Sequence, residues 1–176
     1  MTRGSILLAL GLAMGCGKSA TPVAKGLAYR DPAGSGWRLV KGAASTPQLL
    51  VLELLAPAGG AGRGVALTLR ADPRTSWDPA RVGAVYALGA EPHAVMAELR
   101  GQDAVLGVFQ KGQTPPASYG DWTTPVLSVT LRLGPSQEPL HGAALPLQVA
   151  VASHLSSTGE MEDVAGQLQV GVLTAE

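Results

Sequence analysis

Net charge, cysteine and aromatic side chains are all scarce in this 176-residue chain, and each scarcity removes a class of function. Thirteen Lys and Arg stand against thirteen Asp and Glu, for a formal charge of zero. Such a balance supplies neither the basic stripe that holds nucleic acid nor an acidic solvating tail, so no nucleic-acid partner is expected. One cysteine cannot close an intramolecular disulfide, which excludes a stapled framework. Only 4% of residues are aromatic, so the core must be built largely from Val, Leu and Ala. What is abundant is apolar or conformationally special. Hydrophobic residues make up 46% of the chain, enough for one packed domain, and 23 glycines and 13 prolines punctuate it.

The lone cysteine is informative by its position. Met1-Thr2-Arg3 brings one positive charge, the uncharged run Ile6 to Met14 follows, and Gly15-Cys16 closes it. A basic start, about 7–15 apolar residues and small residues at the end mark a secretory signal peptide. The run falls short of the roughly 20 residues that span a bilayer. Leu12-Ala13-Met14-Gly15-Cys16 resembles the lipobox of bacterial lipoproteins. The resemblance implies cleavage between Gly15 and Cys16 by signal peptidase II and acylation of Cys16. Stable anchoring needs about two acyl signals, and a lipoprotein's modified cysteine carries more than one chain. Gly17 is not the aspartate that retains lipoproteins at the inner membrane of enteric species, which points to the outer membrane. An ordinary cleaved signal with an incidental cysteine, or a cytosolic start that happens to be apolar, is the alternative. The same residues imitate a phosphate-binding loop in Gly15-Cys16-Gly17-Lys18-Ser19, but Gly11 to Gly17 leaves five residues where the motif needs four.

From Gly17 to about Thr46 the composition suits a flexible tether, within which Trp37-Arg38-Leu39-Val40 can form a short strand. Beyond it come short runs separated by Gly and Pro. Leu49–Leu55, Val65–Arg70, Val82–Leu88, His93–Leu99, Ala104–Phe109, Leu127–Leu133, Leu147–Ala152 and Leu168–Val172 all read as strands. Alternation is clearest where Leu127, Val129, Leu131 and Leu133 interleave with Ser128, Thr130 and Arg132, the period of a strand with one buried face. His93–Leu99 has helical propensity but is shorter than the roughly 10–12 residues of a helix. About seven to nine strands with regular turns predict an all-β, antiparallel sandwich of jelly-roll type.

The order of these segments resembles cohesin-like domains, which are related in fold to cellulose-binding modules. The matching pieces run from Leu67-Thr68-Leu69-Arg70-Ala71-Asp72-Pro73 through Arg81-Val82-Gly83 and Ala104–Phe109. They continue with Tyr119-Gly120-Asp121-Trp122 into Pro125–Leu133, and end at Leu147–Ala152. The resemblance implies a jelly-roll-like sandwich that binds without catalysing. The expected organisation is a signal peptide over 1–15, a lipidated Cys16 and tether over 16–46, and the sandwich over 47–176.

Candidate chemistry is sparse. His93, His141 and His154 stand apart, with no metal-ligand spacing around them, and no nucleophile elbow occurs. Glu160, Glu162 and Asp163 lack the alternating loop of a calcium hand and read as a solvated hairpin tip. Asp72-Pro73 and Asp78-Pro79 mark two turns, with a structural ion there as the minor alternative. No catalytic residue, cofactor or metal ligand is expected. Trp77 and Trp122 lie in turn-rich segments and are the candidate ligand contacts, as sugar-stacking rings, against the reading of Trp as a core plug. The expected function is a lipid-anchored envelope module that binds a protein partner, with binding of an envelope or extracellular polysaccharide as the alternative.

Overall fold

The computed structural model describes residues 23–78, 83–84, 93–110, 117–118, 125–135 and 140–176. Among them the chain is all strand and turn. Thirteen strands follow in order: β1 Leu27–Arg30, β2 Arg38–Lys41, β3 Leu50–Leu55, β4 Ala61–Ala71, β5 Thr75–Trp77, β6 Gly83–Ala84 and β7 His93–Arg100. Then come β8 Asp103–Gln110, β9 Ala117–Ser118, β10 Pro125–Leu133, β11 Leu147–Ser156, β12 Met161–Asp163 and β13 Val172–Ala175. Four of these are pieces of two or three residues, and the other nine have four or more. The expected sandwich is therefore present, with extra short pieces that carry too few residues to show a period.

Two antiparallel sheets form its layers. The larger has the order β12-β11-β4-β8-β7, with β9 also pairing β4. The smaller has the order β2-β3-β10-β5, with β6 also pairing β10. Each strand turns alternate residues inward. Val65, Leu67, Leu69 and Ala71 of β4 are buried, as are Ala104, Leu106 and Val108 of β8. Leu50, Leu52 and Leu54 of β3 pair across from Leu131, Val129 and Leu127 of β10, and all six join the same core cluster. Short aliphatic side chains from both sheets thus supply most of the interior, as the scarcity of aromatics demands.

The β7–β8 hairpin settles the helix-or-strand ambiguity. Its eight residue pairs run without a register shift from His93↔Gln110 to Arg100↔Asp103. The two-residue turn begins at Gly101, whose φ of 61° is the left-handed geometry such hairpins require at their first position.

Two boundaries need correction. The tether expected over 16–46 is largely part of the folded body. β1 pairs with β13 and β2 with β3, while Leu27, Tyr29, Trp37 and Leu39 are all buried. β2 is the short strand expected at Trp37–Val40, shifted by one residue, whereas β1 looks like linker because its partner β13 lies at the far end of the chain. Of the strand expected over Leu168–Val172, only Val172 belongs to a strand. Val164 accepts the amides of Gln167 and Leu168 in a turn, and Gln169 then bonds in both directions to Trp37 and Leu39. The strand proper is β13, and Leu168 fills the core behind it. Of the strand expected over Val82–Leu88, the described residues include only β6.

Tyr29 binds these distant pieces together. Its hydroxyl donates to the Leu39 carbonyl at 2.9 Å and accepts the Gly171 amide at 2.6 Å. Burial pushes the phenol up to about 12, so it remains a neutral donor under all ordinary conditions. Gly171 is required there because a Cβ would run into the Arg30 carbonyl and the Tyr29 ring. Tyr29→Phe keeps the ring and leaves both backbone partners without the hydroxyl. The expected loss in chemical denaturation is about 1–3 kcal/mol of stability, the cost of an unsatisfied buried group. An unchanged midpoint would show that the clamp contributes nothing.

Candidate functional site

The outer face of the six-stranded sheet is the feature that packing inside the domain does not explain. Residues that alternate with the buried ones on β4, β8, β7, β11 and β12 point away from the core. Cross-strand register arranges them in rows. Val151, Thr68, Val105 and Glu98 form one row, and Ser153, Ala66, Gly107 and Met96 the next. Met161 lies beside Leu155, and Leu155 beside Gly64 and Phe109. Most of these side chains are apolar, whereas the solvated face of an antiparallel sheet is ordinarily polar. Val151 is 48% exposed, Met96 47% and Met161 60%, three of the five large exposed hydrophobics among the described residues.

Glycine shapes the middle of the face. A Cβ at Gly64 would collide with the Phe109 ring. One at Gly107 would sit 2.9 Å from Cε2 of the same ring and 3.5 Å from Cε of Met96. Phe109, the chain's one phenylalanine, therefore lies across two bare stretches of backbone, a cross-strand arrangement in which an aromatic ring covers glycine. The result is a broad apolar surface of low relief.

Charge is confined to its borders. Arg70 grips Asp103 through two bonds of 2.7 and 2.9 Å, and Arg100 meets Glu98 at 2.6 Å. The bonded guanidiniums hold both carboxyls below their usual range. These pairs make the β7–β8 end of the face formally neutral. The opposite edge is acidic, with Glu160, Glu162 and Asp163 exposed. They lie at and beside the tip of the β11–β12 hairpin, as expected of a solvated turn. Glu162 also reaches His154 at 3.1 Å, whose ring tilts 55° against Trp37 at 5.3 Å.

The residues singled out from the sequence fall elsewhere. Cys16 and Trp122 lie outside the described residues, as do Pro79 and Tyr119. Trp77 is a correction: it is 6% exposed and belongs to the core. Its indole N–H donates to the Gln102 carbonyl at 2.8 Å, tying the β7–β8 turn to the smaller sheet. A ring buried in the core presents no platform to a sugar. Trp37 is likewise buried. His141 is exposed.

The two Asp-Pro turns use their carboxylates internally. Asp72 accepts the Arg74 amide at 2.8 Å and binds the Arg74 guanidinium at 2.7 Å. Asp78 meets Arg132 at 2.5 Å. Among the described residues no three His, Cys, Asp or Glu side chains gather as a metal set. A cavity bordered by Trp37, Leu54, Val65, Leu67 and Leu168 has about 10 Å³, room for one water at most.

Met96, Val105, Phe109, Val151 and Met161 were not singled out from the sequence. A signal was present in Ala104–Phe109, where apolar residues occupy both parities of one strand. Such a strand must either be covered on two sides or show an apolar face.

No protein-family model matches the chain, and no curated protein aligns with it. Among solved structures it is similar to the sixth cohesin of scaffoldin B from Acetivibrio cellulolyticus, determined in complex with a mutant Cel5 dockerin. The TM-score is 0.52 at 11% identity, over 82% of this chain and 100% of that chain. The fold is cohesin-like. At that identity the similarity speaks for the arrangement of strands in this cohesin-like sandwich and not for individual contact residues.

The ion pair at the first Asp-Pro turn has a measurable consequence. The side-chain bond from Arg74 holds the Asp72 carboxyl below the ordinary aspartate range, against the opposing effect of burial. A lowered folded-state pKa means that the pair's contribution is complete above the unfolded value of about 4 and is lost as pH falls through the lower folded value. Asp72→Asn is expected to flatten the acid limb of the stability-versus-pH curve below about pH 4. An acid limb as steep as the wild type's would assign the pH dependence to other carboxylates.

Proposed function

We propose that this protein is a non-catalytic interaction module that captures a protein partner on the outer face of its six-stranded sheet, while a lipid on Cys16 holds it at the bacterial outer membrane. The observation that carries the docking assignment is that Val151, Met96 and Met161, all about half exposed or more, share one sheet face with Phe109 and two glycines. Contiguous apolar surface of this kind marks interaction sites. An apolar centre with charged margins is also the usual anatomy of a protein interface. The similar cohesin was determined with a dockerin bound, which supports a dockerin-like domain as the partner class. Glycan binding is the weaker reading, because Trp77 is in the core.

Anchoring rests on the sequence around Cys16. It makes the chain between Cys16 and the first described residues a short leash: seven residues from Cys16 to Val23 reach at most about 25 Å when fully extended. A module on such a leash works close to the bilayer and meets partners that are themselves at the envelope.

Two measurements test these assignments. A photoreactive residue in place of Thr68 should cross-link one envelope protein in living cells. Val151→Glu should abolish that product at unchanged melting temperature, since burying a lone carboxylate at a contact centre costs about 2 kcal/mol or more. A product that persists in Val151→Glu sinks the docking face. Separately, a palmitate analogue should label the wild type in the outer-membrane fraction and fail to label Cys16→Ser. Equal labelling of both would refute the anchor.

A further inference from the structure

The chain contains four methionines and one cysteine, and beyond Cys16 its only sulfur atoms belong to Met96 and Met161. Both lie on the same sheet face, 47% and 60% exposed, while the core uses Leu, Val and Ala in their place. They stand on opposite edges of the face, Met96 on β7 and Met161 on β12. Met96 ends in a methyl group beside the Phe109 ring over Gly107, so its thioether is part of the apolar cover that hides bare backbone. We infer that Met96 and Met161 form a reversible oxidation site that switches the affinity of this face. The inference rests on the docking assignment above and concerns its regulation.

The chemistry balances with a peroxide as oxidant. The thioether sulfur attacks one peroxide oxygen, the O–O bond breaks, and the oxygen is retained as a sulfoxide. The peroxide is reduced to water or an alcohol. Reversal takes two thiols of a sulfoxide reductase, which become a disulfide as the oxygen leaves as water. Exposure admits both reagents. A flexible apolar chain becomes a dipolar one, and the change falls on the surface that must shed water when a partner docks. The interior packing is left intact, because neither side chain is in the core.

The test uses full-length protein in envelope vesicles, with the photo-cross-linked product from position 68 as the probe. Peroxide should add one oxygen to each of Met96 and Met161 in peptide mass maps, at the rate of free methionine and without shifting the melting temperature. It should remove most of the cross-linked product, and a methionine sulfoxide reductase with thiol should restore it. A Met96→Leu, Met161→Leu double variant should give the same yield with and without peroxide. Protected methionines, a melting shift on oxidation, or a yield that ignores peroxide would each overturn the inference. A product abolished by Val151→Glu but indifferent to peroxide defeats the switch alone. A product indifferent to both defeats the docking face and the switch with it.

Discussion

Two stacked sheets can bury only the faces that meet, and in this protein the larger sheet is apolar on both. That constraint orders the rest of the structure. The inner face is closed by Leu50, Leu52, Leu54 and their partners on β10, which fill the space between layers with short aliphatic chains. Among the described residues no such layer lies over the outer face, and Val151, Met96 and Met161 stay about half exposed or more. Stability explains the first set. The second contributes little to folding while it faces water, since apolar area stabilises only once it is removed from solvent. The association proposed above would remove that area from water.

The polar groups are arranged so as not to compete with either role. Buried Asp72 and Asp78 are matched by Arg74 and Arg132 at the ends of the smaller sheet's β5. Arg70–Asp103 and Arg100–Glu98 hold the margin of the outer face near neutrality. Exposed pairs of this sort add little stability. On the proposed docking face they would keep single charges off the contact surface, where desolvation would be costly. The acidic edge at Glu160 and Asp163 is unbalanced by comparison and gives the face polarity from one side to the other.

Much of this was legible in the chain. The alternation in Val65–Leu69 and in Leu127–Leu133 is a local property, and it correctly announced antiparallel strands, although β10 also buries Thr130 of the polar parity. Gly and Pro placed the turns, and the acidic run at 160–163 was a hairpin tip as read. What escaped were elements whose meaning depends on distant partners. β1 is four residues that look like linker until β13 returns beside them. Trp77 sits next to an Asp-Pro turn and looks available, yet its indole reaches across to Gln102 and closes the interior.

Residue by residue, the sequence alone determined the longer alternating strands, the turns between them and the largely aliphatic character of the core. Those follow from side-chain size, charge and a period of two, all readable within a few neighbouring positions. Only the tertiary structure decided which apolar parity of β8 would be covered, which tryptophans would vanish into the core, and that the body's two thioethers share one open face. Such outcomes depend on what the opposite sheet supplies across the interior, through contacts between residues far apart along the chain.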